Sequence, residues 1–389
     1  MIAFELSEEQ EAFRELAHAF ALNEMRPVAA EHDREGTWPA KVLAKAWDLG
    51  LMTTRIGEAY GGGGLGLLDY CLIGEELAWG CPGITTCTGG NELAVTPLSL
   101  GGSEELKQQY LRRLTEEPGF AAFCLTEPGA GSDAASLRTT AVRRHDKYVI
   151  NGSKCFITNG SHADWYTVFA KTDPGAGHCG ISVFVVPREA GVVVDHVEDK
   201  MGHRASDTAS LSFVDVEVDA DHLIGAEGQG FALAIATVDR TRPGVAAWAT
   251  GLARAALELA RDYVNEREQF GALLADQQGI QFMLADMATD VEASRLLAWQ
   301  SAALVDAGRV GKGLASAHAK RFAAAAAMRV TTNAVQLHGG YGYLRSCPAE
   351  KLMRDAKLMA IYEGTDQMQQ LLIAREVLAA PPERIRTAA

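Results

Sequence analysis

The hydrophobic pattern of this chain changes twice. From Ser7 to about residue 119 the apolar positions recur at helical spacing. Ser7 with Gln10 three residues on is a capping-box pair. Phe13, Leu16, Ala17 and Phe20 then follow three or four apart, which predicts one apolar face of an α-helix. Further helices are expected over 39–50, 67–79, 91–100 and 103–115, and Pro118-Gly119 ends the pattern. From about 120 to 220, short β-branched and aromatic runs take over: Tyr148-Val149-Ile150, Trp165 to Phe169, Ile181 to Val186, Gly191 to Val194 and Leu211 to Phe213. Turn residues such as Asn151-Gly152 separate them, which predicts a compact all-β unit. Helical texture returns near 228, with Ala/Leu/Met-rich stretches at 244–267, 278–307 and 312–336. The order α, β, α predicts an α+β fold class with an N-terminal helical domain over 1–119, a middle β domain over 120–226 and a C-terminal helical domain over 227–389. No internal repeat is present, and Pro381-Pro382 marks a frayed tail.

Composition narrows the partners. The chain has 389 residues, 48% of them hydrophobic, enough for two or three domains with cores of their own. Its net charge of −14 points away from nucleic acid and anionic membranes, while an anionic small molecule held by a few local cations stays open. The cysteines, Cys71, Cys81, Cys87, Cys124, Cys155, Cys179 and Cys347, are odd in number and form no CxxC pair. Neither a zinc or other metal site nor a disulfide framework is expected, and a cytoplasmic setting is the simplest. The opening Phe4 to Gln10 is acidic and amphipathic, unlike a signal or transit peptide, and no apolar run approaches the roughly 20 residues of a membrane span.

Three glycine-rich stretches invite a phosphate-binding reading. Gly175 to Gly180 fits G-x-G-x-x-G, but strand-like sequence lies on both sides, so a hairpin loop is expected. Gly61 to Gly66 is followed by a helix, but no strand precedes it, so an interhelical loop is expected. Gly129-Ala130-Gly131-Ser132 opens the β domain after Thr126-Glu127-Pro128. Its glycines would let backbone N–H groups approach a ligand, although alone it reads as a plain turn.

Near the C-terminus one carboxylate, Glu363, sits among Leu358, Met359, Ile361 and Tyr362 just before a helix start. An apolar setting raises a carboxylate's pKa and makes it a better base near neutral pH, whereas a helix N-terminus favours the anion. Alone, Glu363 also reads as an ordinary solvated glutamate.

Six segments in order change that reading. They are Leu125 to Asp133, Lys154 to Gly160, Asp239-Arg240-Thr241-Arg242-Pro243, Glu266 to Gly271, Gln336 to Gly342 and Tyr362-Glu363-Gly364-Thr365. Together they resemble the acyl-CoA dehydrogenase flavoproteins over essentially the whole chain, closest in pattern to the medium-/short-chain group. The resemblance implies a middle domain like a β-barrel, a C-terminal four-helix bundle and noncovalent FAD between domains and across a subunit interface. It also implies a homotetramer, α,β-desaturation of an acyl-CoA in fatty-acid oxidation, and an electron-transfer flavoprotein as electron acceptor.

The resemblance puts Glu363 at the catalytic base. The thioester carbonyl would lie against the backbone N–H of that residue and a flavin hydroxyl. Some relatives carry the base on an earlier helix, where this chain has Thr241, which cannot abstract a proton. That argues against the isovaleryl and long-chain subgroups. Flavin contacts carried over are Phe123, Leu125, Thr126, Gly131, Ser132, Phe156, Ile157, Thr158, Thr365 and Gln367. Arg267, Gln269, Gln278, Gln336, Gly339 and Gly340 match positions that hold the pyrophosphate and adenosine, often of the neighbouring subunit. Ser132, Asp239, Thr241, Arg242 and Gly364 match acyl-CoA contacts. In isolation Phe156 reads as β-domain core, Arg267 as a solvated helix face and Asp239–Arg242 as an i,i+3 pair.

Thr85, Thr86, Gly89 and Asn91 match the segment lining the acyl tail. Their small side chains leave room for a longer or branched tail unless another side chain fills the gap. No Lys or Arg occurs between 81 and 100, which disfavours a dicarboxylic acyl group; Glu92 has no evident role. The rival readings keep the fold as an acyl-CoA oxidase or an enzyme of carrier-bound acyl groups, or reduce it to a non-catalytic acyl-CoA-binding module.

Overall fold

The computed structural model describes residues 5–309 and 311–379, so the Pro381-Pro382 tail lies outside the described residues. Helix α1 (Glu8–Phe20) starts at the expected cap: the Ser7 side chain accepts from the Gln10 N–H, and the Gln10 side chain accepts from the Ser7 N–H. It continues through α2 (Arg26–Glu35), α3 (Ala40–Asp48), α4 (Leu67–Gly80), α5 (Pro82–Gly101) and α6 (Glu104–Glu116). Helix α5 begins nine residues before its expected start at 91. Its first half carries Gly83, Gly89, Gly90 and three threonines, all weak helix formers. Packing overrides propensity there, because residues 82–91 are buried without a break.

The middle domain holds strands β1 (Ala121–Cys124), β2 (Thr140–Arg144), β3 (Lys147–Thr158), β4 (Trp165–Lys171), β5 (Ile181–Pro187), β6 (Val193–Val197) and β7 (Thr208–Asp219). The curled sheet runs β1-β4-β2-β3-β7-β6, with β5 paired to β4. Strands β1 and β2 escaped the sequence pattern: β1 is Ala-Ala-Phe-Cys, and β2 carries two arginines. Asn151-Gly152 is not the expected turn. It lies inside β3, where the register with β7 shifts between Ile150 and Gly152. Glycine is required there because a Cβ would lie 2.3 Å from Thr139 Oγ1. The segment 174–180 connects β4 and β5 as a hairpin loop, as its flanks predicted.

Helix α7 (Gly230–Glu266) starts close to residue 228, where helical texture is expected to return, runs 37 residues and passes through Pro243. Pro243 has no N–H to give to the Asp239 carbonyl one turn back. Ser316 Oγ, from the neighbouring helix, donates to that carbonyl at 3.0 Å instead. Helices α8 (Gln278–Asp306) and α9 (Lys312–Leu337) pack on α7, with the shorter α10 (Pro348–Met359) and α11 (Asp366–Ala379) against α9.

Three apolar clusters organise these elements. One joins α1, α3 and α4 to α7, α8, α9 and α10, so the two helical ends of the chain share a single core. A second lies between α5, α6 and the near face of the sheet, and a third fills the curled sheet around Tyr148, Tyr166, Phe184 and Phe213. No described helix is long and apolar enough to cross a membrane.

Candidate active site

Glu363 stands in the short loop between α10 and α11. The Ile361 and Tyr362 N–H groups both donate to the Leu358 carbonyl, which ends α10 in a tight turn. Glu363 (φ 51°) and Gly364 (φ 91°) then both take left-handed backbone conformations. For a residue with a Cβ this costs about 1 kcal/mol, a strain that concentrates at functional sites. The turn brings the carboxylate to the buried Thr241 of α7, whose hydroxyl lies 2.6 Å from Glu363 Oε2. Arg242 holds the backbone of the same loop: its Nε donates to the Glu363 carbonyl at 3.3 Å, while its Nη1 pairs with Asp239 at 2.7 Å. Gln369 Nε2 donates to the Gly364 carbonyl. Among the described residues no acceptor engages the Glu363 N–H.

Burial pushes the Glu363 carboxyl up to about 7, against the pull of the Thr241 hydroxyl, Arg242 and Lys320. Glu92 adds to the upward shift. Desolvation therefore outweighs the helix start and the nearby cations, and the group can accept a proton near neutral pH.

A buried network positions this loop. His203 lies in a left-handed conformation with no exposed surface. Its N–H donates to Asp355 Oδ1 at 2.6 Å, and its Nε2 lies 3.1 Å from the Asp355 carbonyl. Burial lowers its pKa to about 4, so the ring is neutral at pH 7. Nε2 then carries the proton, and Nδ1 accepts from the Thr86 hydroxyl at 2.9 Å. Lys351 pairs with Asp355 at 2.6 Å. The His203 ring also meets Tyr362 edge-on. Sequence reasoning missed His203, Lys351 and Asp355, because nothing in their local pattern distinguishes them from surface residues.

The residues expected to face a flavin ring lie on one side of the middle domain. Phe123, Leu125 and Thr126 are half-buried. Glu127 fixes the loop that follows: its carboxylate accepts from the Arg138 and Thr139 N–H groups at 2.6 and 2.9 Å and from Lys154 Nζ at 2.8 Å. Lys154 also donates to the Leu125 carbonyl. Burial opposes the Glu127 charge, but Lys154 together with the Thr139 and Arg138 hydrogen bonds outweighs it and holds the carboxyl below its usual range. Lys154 and Glu127 stand inside the quoted motifs, yet only the structure reveals their pairing. A Cβ at Gly129 or Gly131 would meet nothing within 4 Å, and Ser132 is exposed.

Phe156 is not core. It adopts a left-handed conformation (φ 57°) that turns its ring outward, 66% exposed. Ile157, by contrast, is 1% exposed and belongs to the sheet interior, so only its backbone is left for a ligand. Thr158 and Asn159 close against Gly90, which seats the end of β3 on α5.

A second group lies elsewhere. Arg267, Gln269, Gln278, Gln336, Gly339 and Gly340 are all exposed. Tyr263 stacks on His338 at 4.4 Å and joins the C-terminal ends of α7 and α9, next to which Arg267, Gln269, Gln336, Gly339 and Gly340 lie in sequence, while Gln278 starts α8. The Lys320–Asp366 pair, near the base loop, is sixteen residues back along α9 from Gln336, about 24 Å by helical rise. One chain therefore does not bring these six residues to Glu363. Thr365 accepts from the Met368 N–H at the start of α11, and Gln367 is exposed.

The room expected around Gly89 is taken. A Cβ at Gly89 would lie 2.3 Å from the Trp248 ring and 3.0 Å from the Tyr70 hydroxyl. Glu92 acquires a partner, Arg55 from the loop after α3, at 3.3 Å.

Residues 7–118, 122–216 and 228–378 match the N-terminal, middle and C-terminal domains of acyl-CoA dehydrogenases. A probable acyl-CoA dehydrogenase of Mycobacterium bovis is 43% identical over 376 residues, covering 96% of this chain and 97% of that protein. The butyryl-CoA dehydrogenase of Megasphaera elsdenii superposes with a TM-score of 0.94 at 41% identity, covering 97% of this chain and all of that one. A chain from structural work on the electron-transferring flavoprotein of Acidaminococcus fermentans and flavin-based electron bifurcation superposes at 0.95, with 44% identity and coverage of 97% and 100%. Three domain matches in order and similarity at full length agree on one conclusion: the chain belongs to the acyl-CoA dehydrogenase family.

Proposed function

We propose that this protein desaturates a saturated acyl-CoA thioester to the trans-2-enoyl-CoA, with Glu363 removing the α-proton. The observation that carries the reading is the Glu363 carboxylate, poised near neutral pH and held by Thr241. A thioester α-proton is weakly acidic until its carbonyl is polarised, and the unengaged Glu363 N–H is a donor suited to that carbonyl. Arg242 and Gln369 keep the loop from relaxing as the carboxylate takes the proton.

The residues present fit FAD. The outward Phe156 ring, the half-buried Phe123, Leu125 and Thr126 and the open Gly129–Ser132 loop supply an apolar face beside free backbone. When bound, FAD supplies the acceptor for the β-hydride. Arg267 offers a diphosphate a planar fork of donors, and it makes no ion pair among the described residues. Its distance from Glu363 supports a site completed by a second copy of the chain, in a homotetramer. We assign the onward electrons to an electron-transfer flavoprotein, with fatty-acid oxidation in the cytoplasm as the setting. Oxygen uptake matching turnover would replace that acceptor with an oxidase reading.

The test is Glu363→Gln. The variant keeps FAD and acyl-CoA binding and loses flavin reduction by several orders of magnitude, on the scale of a removed general base, roughly 100- to 10,000-fold or more. Reduction near the wild-type rate would place the base elsewhere.

A further inference from the structure

Helix α7 carries the Glu363 partner and, seven residues on, Trp248. Positions 241, 244 and 248 share one helical face. At the middle of that face a Cβ on Gly244 would lie 2.6 Å from the Tyr70 ring. At its far end the Trp248 indole is 6% exposed and fits two notches: a Cβ on Gly74 would lie 2.6 Å from its Nε1, and one on Gly89 would lie 2.3 Å from its six-membered ring. The Tyr70 and Trp248 rings sit 6.4 Å apart, and they line a narrow cavity together with Thr85, Gly89 and Glu92. Three glycines, on α4, α5 and α7, thus make room for two rings. The small residues of α5 accommodate aromatic side chains from neighbouring helices, and the cavity that remains beside the rings is narrow.

Beside the rings the cavity is apolar on one side, at Leu51, Met52, Ile73 and Leu77, and charged on the other, at Glu92. Arg55 Nε lies 3.3 Å from Glu92 Oε1, and among the described residues Arg55 Nη1 is buried without a hydrogen-bond partner. An alkyl tail driven past Tyr70 would lie against this ion pair, which only polar surroundings can satisfy.

We propose that Tyr70 and Trp248 form the stop of the acyl cavity and restrict this enzyme to short acyl groups of about four to six carbons. The count follows from the helix. Thr241 marks the level of the α-carbon, Gly244 lies about 4.5 Å farther along the axis and Trp248 about 10.5 Å. Subtracting a carbon–carbon contact of about 3.5 to 4 Å leaves about 1 to 7 Å of extended chain. At about 1.3 Å per methylene, set by tetrahedral C–C bonds, that is about one to five carbons beyond the α-carbon, an acyl group of about three to seven carbons, with four to six at the middle of the range. This assignment rests on the desaturase reading above and names its substrate class.

The experiment is anaerobic flavin reduction of the FAD-loaded protein by butanoyl-, hexanoyl-, octanoyl- and dodecanoyl-CoA, in the wild type, Trp248→Ala and Trp248→Leu. The wild type is expected to favour the four- or six-carbon substrate over the twelve-carbon one by at least about tenfold in reduction rate over dissociation constant. Both variants are expected to raise the ratio for dodecanoyl- over butanoyl-CoA by about tenfold or more. The leucine variant keeps an apolar side chain and serves if the alanine variant does not fold. Wild-type reduction by dodecanoyl-CoA as good as by butanoyl-CoA would overturn the stop while leaving the desaturase reading intact. So would an unchanged ratio in a variant that retains FAD. Failure of every acyl-CoA to bleach the flavin would instead overturn the parent reading and the stop with it.

Discussion

The Thr241 hydroxyl lies 2.6 Å from the Glu363 carboxylate across 122 residues of sequence. This hydrogen bond favours the charged carboxylate and pulls its pKa down, against the burial that pushes it up to about 7. The balance sets the pH at which the proposed base would work. Values of kcat/KM should rise with pH and level off above about 7, as the free carboxylate forms. Thr241→Val removes the opposing pull, so the midpoint should move to higher pH by about one unit, the worth of a hydrogen bond to a charged group. A pH–rate profile of that variant with an unmoved midpoint would dissociate Thr241 from the base.

The same shift makes a statement about stability. A carboxyl whose folded pKa lies near 7 binds its proton more tightly folded than unfolded, where carboxyls titrate near 4.3. Its stabilising contribution is complete below about 4.3 and is lost as pH rises through about 7. Glu363→Gln has no such dependence. Its Tm relative to wild type should therefore be higher at pH 8 than at pH 5, which thermal melts at the two pH values will show.

The Lys154–Glu127 pair holds the loop from Leu125 to Gly131 against β3. Lys154→Met leaves Glu127 buried without its cation. The expected loss is about 3 to 5 kcal/mol of stability, read by denaturant unfolding. Adding Glu127→Gln should recover part of it, because the neutral amide no longer needs a countercharge. Equal stability of single and double variants would show that the two charges act separately.

Arg267 is exposed and far from Glu363. If it serves the cofactor across a subunit contact, Arg267→Ala should lower FAD content or weaken assembly while leaving the monomer's melting behaviour unchanged. Flavin absorbance and sedimentation of the purified variant measure both. Unchanged values in both would remove Arg267 from the cofactor site.

The sequence carried the broad layout because each domain has its own periodicity: the Ser7 cap, the β4 and β5 runs and the long Ala-rich helices are local signals. It singled out Glu363, the proposed base, because that residue stands in a short motif. It did not carry α5 before residue 91, whose glycines and threonines become helical only under burial from every side. It did not carry β1 or β2, which are too short and too polar or small to announce themselves. Phe156 was ambiguous for a different reason. Alternation along β3 assigns a ring to the core or to solvent only if the backbone stays extended, and here φ turns positive. The partners of Glu92 and the occupant of the Gly89 notch come from other segments, Arg55 and Trp248, and distance in sequence hides such pairs.

The core shared by the two helical ends sets a timetable for synthesis. Phe20, Leu77 and Trp79 share one core with Val245, Ala323, Val330 and Met359, so the first helices leave the ribosome with part of their apolar surroundings not yet made. At about 5 to 20 residues per second, roughly 15 to 60 s separate the emergence of α4 from that of α10. For that interval the nascent amino-terminal segment presents greasy helix faces to the cell while the β unit behind it can already close on its own core. The window in which these helix faces lie uncovered opens at the beginning of the polypeptide and closes only near its end.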